Sequence, residues 1–253
     1  MFPILLKIDG FTLHTYGVLL AIGFLLAVAL LLKEARRVGI NPDLIMDMSF
    51  YILIAALLGS RLFYVLGNWE EFQEQPMDII KFWRGGLVFY GGLIFSFGVG
   101  FWYVRKHRLN FQQMADLVAP SIAIGQTLGR LGCFSAGCCY GLATKVPWAV
   151  TFRHESSLAP LGVPLHPVQL YESGTLLAIF LALIFMRRGK RYQGKLIWYY
   201  LLFYACSRFI IENYRGDPRG WFIPGFLSAA QAIGIPAVLI ALFMLLRKRS
   251  SPS

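Results

Sequence analysis

Seven apolar runs of roughly 20 residues, each long enough to cross the hydrocarbon core of a bilayer, dominate this sequence. They cover residues 13–32, 47–67, 85–104, 112–133, 170–186, 193–212 and 228–246, with short hydrophilic segments between them. Inside lipid the backbone has no water to bond, so apolar runs of this length predict helices. Composition agrees, since 57% of the 253 residues are hydrophobic and 15% charged, which excludes an ordinary soluble globule. No internal repeat, low-complexity tract or linker marks a second folding unit. The expected fold is an all-α integral membrane protein, a single polytopic domain over residues 1–253.

The net charge of +11 raises the question of nucleic-acid binding, and position answers it. Fourteen of the 24 basic residues fall in four clusters after apolar runs: Lys33, Arg36 and Arg37; Arg105, Lys106 and Arg108; Arg187, Arg188, Lys190, Arg191 and Lys195; and Arg247, Lys248 and Arg249. Acids such as Glu70, Glu71, Glu74 and Asp78 occupy intervening segments instead. This alternation is the positive-inside signature, so no nucleic-acid partner is expected. It predicts seven transmembrane helices with the N-terminus outside and the C-terminus inside. The first run ends in charge rather than in a small-residue cleavage site, so an uncleaved first helix is expected. Residues 134–169 form the longest extramembrane piece and contain a β-like run, Val146–Phe152, before Pro160, Pro164 and Pro167. A small outer-face cap is expected there.

Charge inside a spanning helix is costly, about 3 kcal/mol on insertion scales, and calls for a partner or a purpose. Arg61, Arg130, Arg208 and Glu212 all lie late in runs that end on the outer side, so they share one depth. An arginine near a helix end can reach headgroups by snorkelling. Tyr204, Arg208, Glu212 and Arg215 are spaced by four, four and three residues and so share one helix face. Converging guanidiniums suit an anionic lipid head, and a purely structural Arg208–Glu212 pair is the competing reading. Gly125, Gly129 and Gly132 around Arg130 form a close-packing face, and Gly85, Gly86, Gly91 and Gly92 around Phe89 and Tyr90 permit close backbone approach.

Cys133, Cys138 and Cys139 cluster just after the fourth run, with Cys206 apart from them. Metal binding would use His154 or His166 to complete three thiolates, yet the spacing matches no standard zinc pattern. A packed or disulfide-bonded turn is the favoured reading, and no metal is expected.

Several segments together resemble one family, the bacterial phosphatidylglycerol prolipoprotein diacylglyceryl transferases. They are His14-Thr15-Tyr16-Gly17, Gly59-Ser60-Arg61, Gly91-Gly92-Leu93, Gly129-Arg130-Leu131-Gly132 through Gly141, His166-Pro167-Val168-Gln169-Leu170-Tyr171-Glu172, and Tyr204 with Arg208, Glu212 and Arg215. The resemblance implies transfer of the diacylglyceryl group of phosphatidylglycerol to the lipobox cysteine thiol of a preprolipoprotein, forming a thioether and leaving glycerol phosphate. It implies a location in the bacterial cytoplasmic (inner) membrane, a site toward the outer leaflet, and the signal peptide and membrane lipids as partners. It carries phosphatidylglycerol binding onto Arg130 and an essential role onto Arg208, with Tyr16, Tyr204, Glu212 and Gly141 in support. Arg61 and His166 join the expected substrate-binding set. No cofactor is implied.

A thiol with an ordinary pKa near about 8.5 needs a base or a positive field to ionise at neutral pH. The family commonly has a histidine before the paired glycines of the third span, where this chain has Tyr90. It also commonly has an asparagine and a glutamate where this chain has Cys133 and Cys138. Tyr90, Glu212 or water is therefore the expected proton acceptor, with His166 as a further candidate. Two other classes remain: a paralogue doing thiol, redox or metal chemistry at the outer face, and a lipid-binding protein or transporter without chemistry.

Overall fold

The computed structural model describes residues 2–8, 11–81, 85–189, 192–217, 221–223 and 227–247. Lys190, Arg191, Lys248 and Arg249 of the basic clusters lie outside the described residues. Each apolar run became one long helix. These are α1 (Thr15–Val38), α2 (Pro42–Gly67), α4 (Phe89–Lys106), α5 (Phe111–Ala136), α6 (Val168–Met186), α7 (Leu196–Glu212) and α8 (Ala229–Leu246), with a short α3 (Trp69–Glu74) after α2. Four of them, α1, α2, α6 and α8, are long and apolar enough to cross a membrane. Large side chains such as Leu25, Phe185, Leu239 and Phe243 are exposed on α1, α6 and α8. So much outward apolar surface is stable against lipid and costly against water.

Local chemistry sets the helix ends. Asn41 accepts from the Asp43 N–H at 2.9 Å, and Pro42 occupies the first helical turn, where its missing N–H costs nothing. Ser228 and Gln231 form a reciprocal capping box at the start of α8. Three short antiparallel pairs were not anticipated in detail: β1 (Ile4–Ile8) with β2 (Phe11–His14), β3 (Val150–Thr151) with β4 (Pro164–Leu165), and β5 (Trp221–Ile223) with β6 (Leu227–Ser228). The second pair lies in the expected cap segment. Phe152, Ala159 and Leu165 are buried there, with Phe134 and Tyr140 packed against them.

The chain divides into two compact units, Met1–Leu30 with Ala115–Ser253, and Leu31–Met114. In the first, Ala119 and Ala123 of α5, Ile179 and Leu183 of α6, and Leu196 and Tyr200 of α7 bury one another. Helix α1 lies close along the glycine face of α5. A Cβ on Gly23 would stand 3.0 Å from the Gly125 carbonyl, and one on Gly132 would stand 3.1 Å from the Tyr16 ring. The small-residue face foreseen around Arg130 is therefore filled by α1.

In the second unit, α2 and α4 cross at Gly59 and Gly91, each occupying the space a neighbouring side chain would need. A Cβ on Gly59 would lie 2.5 Å from the Gly91 carbonyl, whereas one on Gly98 would meet nothing within 4 Å. Overpacking of this kind typically costs about 1–3 kcal/mol. Gly59→Ala should lower the thermal unfolding midpoint in detergent, and Gly98→Ala should leave it unchanged or raise it.

Candidate functional site

One carboxylate gathers the polar groups of the first unit. Glu172, in the second turn of α6, is 4% exposed. Its Oε2 lies 2.8 Å from Arg130 Nε on α5, and its Oε1 lies 3.4 Å from Arg208 Nε on α7 and 3.2 Å from Arg215 Nη1 just beyond α7. Arg208 also pairs with Glu212, whose carboxylate stands 3.9 Å from Arg215 Nε. Asp217 accepts from Arg215 Nε at 2.9 Å and from Nη2 at 3.0 Å, a bidentate fork. Arg208 and Arg215 are each 8% exposed, and the burial of Arg208 among carboxylates argues against the snorkelling reading for it. The competing Arg208–Glu212 pair is present, but as one edge of a larger network.

The backbone that carries Arg215 is itself pinned. Leu142 N–H donates to the Tyr214 carbonyl at 2.8 Å, Gly216 N–H to Tyr140 at 3.0 Å, and His166 N–H to Leu142 at 2.9 Å. Residues 140–142 are thus sandwiched between the segment after α7 and the segment before α6. Gly141 forms a bridge opposite Arg215, and a Cβ on it would overlap the His166 carbonyl and side chain. The resemblance placed Gly141 in the expected set, and here its missing side chain permits this close backbone approach. His166 is placed by its ring: Nδ1 lies 3.2 Å from the Tyr171 hydroxyl, which accepts from Trp148 Nε1 at 2.7 Å.

Hydrogen bonds also tie together the three helices that carry the network, α5, α6 and α7. Ser173 Oγ on α6 donates to the Thr127 carbonyl of α5 at 3.1 Å, and Tyr200 on α7 donates to Gln126 Oε1 of α5 at 2.8 Å. Tyr204 stacks on Tyr200 with centroids 5.9 Å apart and planes 7° from parallel. Gln169, fully buried, donates to the Cys138 carbonyl at 2.8 Å.

Burial works against the charge on Arg215, but Asp217 and Glu172 outweigh it and hold its pKa above the ordinary guanidinium value. The Cys133 and Cys138 thiols beside Cys139 pull the Cys139 pKa down against burial, with Arg215 adding to the effect, while Cys133, Cys139 and burial push the Cys138 pKa up. Arg208 Nη2 is buried without a hydrogen-bond partner among the described residues. A buried cationic donor in that state is strongly disposed toward an anionic oxygen.

Of the sequence-derived residues, Arg130, Arg208 and Glu212 meet in this network, with Tyr204, Tyr16, Gly141 and His166 on the same unit. Arg61 and Tyr90 belong to the second unit. Arg61 donates to backbone carbonyls throughout: Nε to Ile79 at 2.8 Å, Nη1 to Gly85 at 2.8 Å and to Gly86 at 3.1 Å, and Nη2 to Asp78. Tyr90 is 54% exposed near the start of α4, edge-on to Phe89. Glu172 and Asp217 were not singled out from sequence. Glu172 is nonetheless the only charge in the run 170–186, a signal that could have found it. Among the described residues the three sulfurs group without His154 or His166, whose Nδ1 atoms respectively accept from the Ser156 N–H and lie against the Tyr171 hydroxyl.

The fold and this site define a helical membrane protein built around a buried arginine–carboxylate network. Residues 3–247 match the family model described as prolipoprotein diacylglyceryl transferase. A relative from Clostridium tetani named phosphatidylglycerol–prolipoprotein diacylglyceryl transferase is 37% identical, over 96% of each chain. One of the same name from Trichormus variabilis is 34% identical, over 99% of this chain and 92% of its own. The chain belongs to the prolipoprotein diacylglyceryl transferase family.

Removing one partner from a buried ionic network leaves uncompensated charge and typically costs about 3–5 kcal/mol. Glu172→Gln keeps the shape and removes the charge that three guanidiniums share. It should lower the thermal unfolding midpoint more than Glu212→Gln, which leaves Arg130 with its carboxylate.

Proposed function

We propose that this protein transfers the diacylglyceryl group of phosphatidylglycerol to the lipobox cysteine thiol of a preprolipoprotein. The observation that carries the proposal is the convergence of three guanidiniums on one buried carboxylate, with a buried donor of Arg208 left for an anion. A phosphate oxygen satisfies that donor. Arg130 pairs through Nε, and its side chain is 22% exposed, the most open of the three. Arg130 therefore receives the phosphate of the arriving lipid, and Arg208 completes its coordination.

In the reaction, the acceptor sulfur bonds to the glycerol carbon that carries the phosphate ester. That carbon–oxygen bond breaks, and glycerol phosphate leaves with the bonding electrons. Fixed guanidiniums in a water-poor site stabilise the charge developing on the leaving phosphate, the largest single contribution in many enzymes of this kind. Glu172 and Asp217 hold the guanidiniums still, so no reorganisation is needed as that charge grows. The thiol proton passes to Tyr90, Glu212 or water. Tyr16 on α1 and Tyr204 on α7 support the lipid site, Gly141 and His166 fix the Arg215 segment, and Arg61 braces its own unit through the backbone carbonyls it holds.

The seven long helices coincide with the seven apolar runs, which supports seven spans; the alternation of the basic clusters supports an outside N-terminus, and the family supports the bacterial cytoplasmic membrane. In that orientation the late residues of α5 and α7 lie toward the outer leaflet, where preprolipoprotein signal peptides present their lipobox. Residues 1–253 then act as one polytopic domain with the 134–169 cap over the site. Readings as a thiol-chemistry paralogue or a passive lipid binder are not favoured by the named relatives.

Transfer from labelled phosphatidylglycerol to a lipobox peptide tests the proposal. Parent protein should yield a labelled thioether, and folded Arg130→Ala and Arg208→Ala variants should each lose about 100-fold or more, the scale of removing a charge-stabilising donor. Unlabelled peptide from well-folded parent protein would contradict it. In the same assay, Tyr90→Phe at full rate would exclude Tyr90 as the proton acceptor.

A further inference from the structure

The sulfur atoms of Cys133, Cys138 and Cys139 all lie within 4.8 Å of one another, and none of the cysteines is disulfide-bonded. The transferase chemistry above uses none of them. Cys133 sits in the last turn of α5, and the other two follow the helix end across Gly137. Two backbone positions in that turn are left-handed: Gly137 at φ 78° and Cys139 at φ 58°. Cys139 is one of only two non-glycine residues with positive φ among the described residues. L-residues rarely adopt this conformation, and such positions persist where the surroundings hold them. The turn is further fixed by the Gln169 bond to the Cys138 carbonyl and by Ser157 packed against Gly137.

We propose that these three cysteines form a trithiolate site for a soft monovalent cation, with Cu(I) the ion whose coordination it fits. Three ligands at about 2.3 Å from one centre stand roughly 4 Å apart, so closing the site needs only small side-chain adjustments. Thiolates select soft ions, and the described residues supply three sulfurs with no histidine or carboxylate completing a tetrahedron. Trigonal coordination is therefore the match. Three thiolates with one monovalent cation make a negative complex, and Arg215 beside Cys139 together with Arg130 nearby offsets that charge. The bound ion would fasten the outer end of α5 to the segment that carries Gly141, and through its bridge to Arg215. The partial exposure of all three cysteines gives the ion a route in.

The test loads reduced full-length protein in detergent with Cu(I) under nitrogen against a chromogenic Cu(I) chelator. Its readout is independent of lipid transfer, so it stands or falls separately from the transferase reading. Parent protein and Cys206→Ser should each retain one equivalent of Cu(I), and Cys138→Ser and Cys139→Ser should lose it. X-ray absorption on the loaded parent should show a shell of three sulfurs, which decides the matter even where a serine variant fails to fold. Complete loss of the ion to the chelator, retention unaffected by the serine substitutions, or a shell containing nitrogen or oxygen would each overturn the proposal. So would mass-spectrometric detection of a disulfide among the three in protein prepared without reductant and resistant to Cu(I) loading.

Discussion

An ionised carboxylate buried among apolar helices is unstable alone, and the architecture around Glu172 follows from that constraint. Its charge is matched by guanidiniums from three separate stretches of chain, on α5, on α7 and just beyond α7. Each of those arginines would be as costly without it. The carboxylate and the arginines therefore fix one another, and the helices that carry them must meet. Small residues make the meeting possible: the Gly125–Gly132 face admits α1, and Gly141 lets the chain pass against His166 and opposite Arg215. Hydrogen bonds from Ser173 and Tyr200 then set α6 and α7 against α5.

This arrangement separates two tasks that arginine performs equally well. A guanidinium can hold a structure together or hold a ligand, and its five donors allow both at once. Arg215 is committed to Asp217 and Glu172, and Arg61 to backbone carbonyls in its own unit. Arg130 is anchored through Nε on Glu172, and Arg208 through Nε on Glu172 and Nη1 on Glu212, which leaves Arg208 Nη2 for a further contact. Buried and fixed in advance, such donors favour an anion that develops charge during reaction, because they need not reorganise to meet it.

Much of the helical fold was legible because helix length and apolarity are local properties. All seven runs match a long helix, with ends that agree to within six residues, and the close-packing roles of Gly91 and Gly125 follow from missing side chains alone. Strand β3 lies within the β-like run Val146–Phe152, whereas a strand such as Ile4–Ile8 escaped notice because five residues carry little signal beside 20-residue apolar windows. In the site, the spacing of Arg208, Glu212 and Arg215 revealed a shared face, although Arg215 proves to lie past the end of α7. Glu172 was visible as an isolated charge, but its partners lie tens of residues away and only tertiary structure joins them. The same holds for Arg61, whose backbone carbonyl partners lie 17 to 25 residues away. The convergence of the three thiols depends on a left-handed backbone at Cys139, which no residue-type preference announces.

The central claim is that Glu172 and the arginines act as one unit in handling the lipid phosphate. A double-mutant cycle on kcat/KM for phosphatidylglycerol transfer, using Arg130→Ala, Glu172→Gln and the combination, measures it directly. Residues acting as a unit are not additive. The account expects the double variant to be scarcely worse than the more damaged single variant. Losses that multiply, as for independent sites, would contradict it.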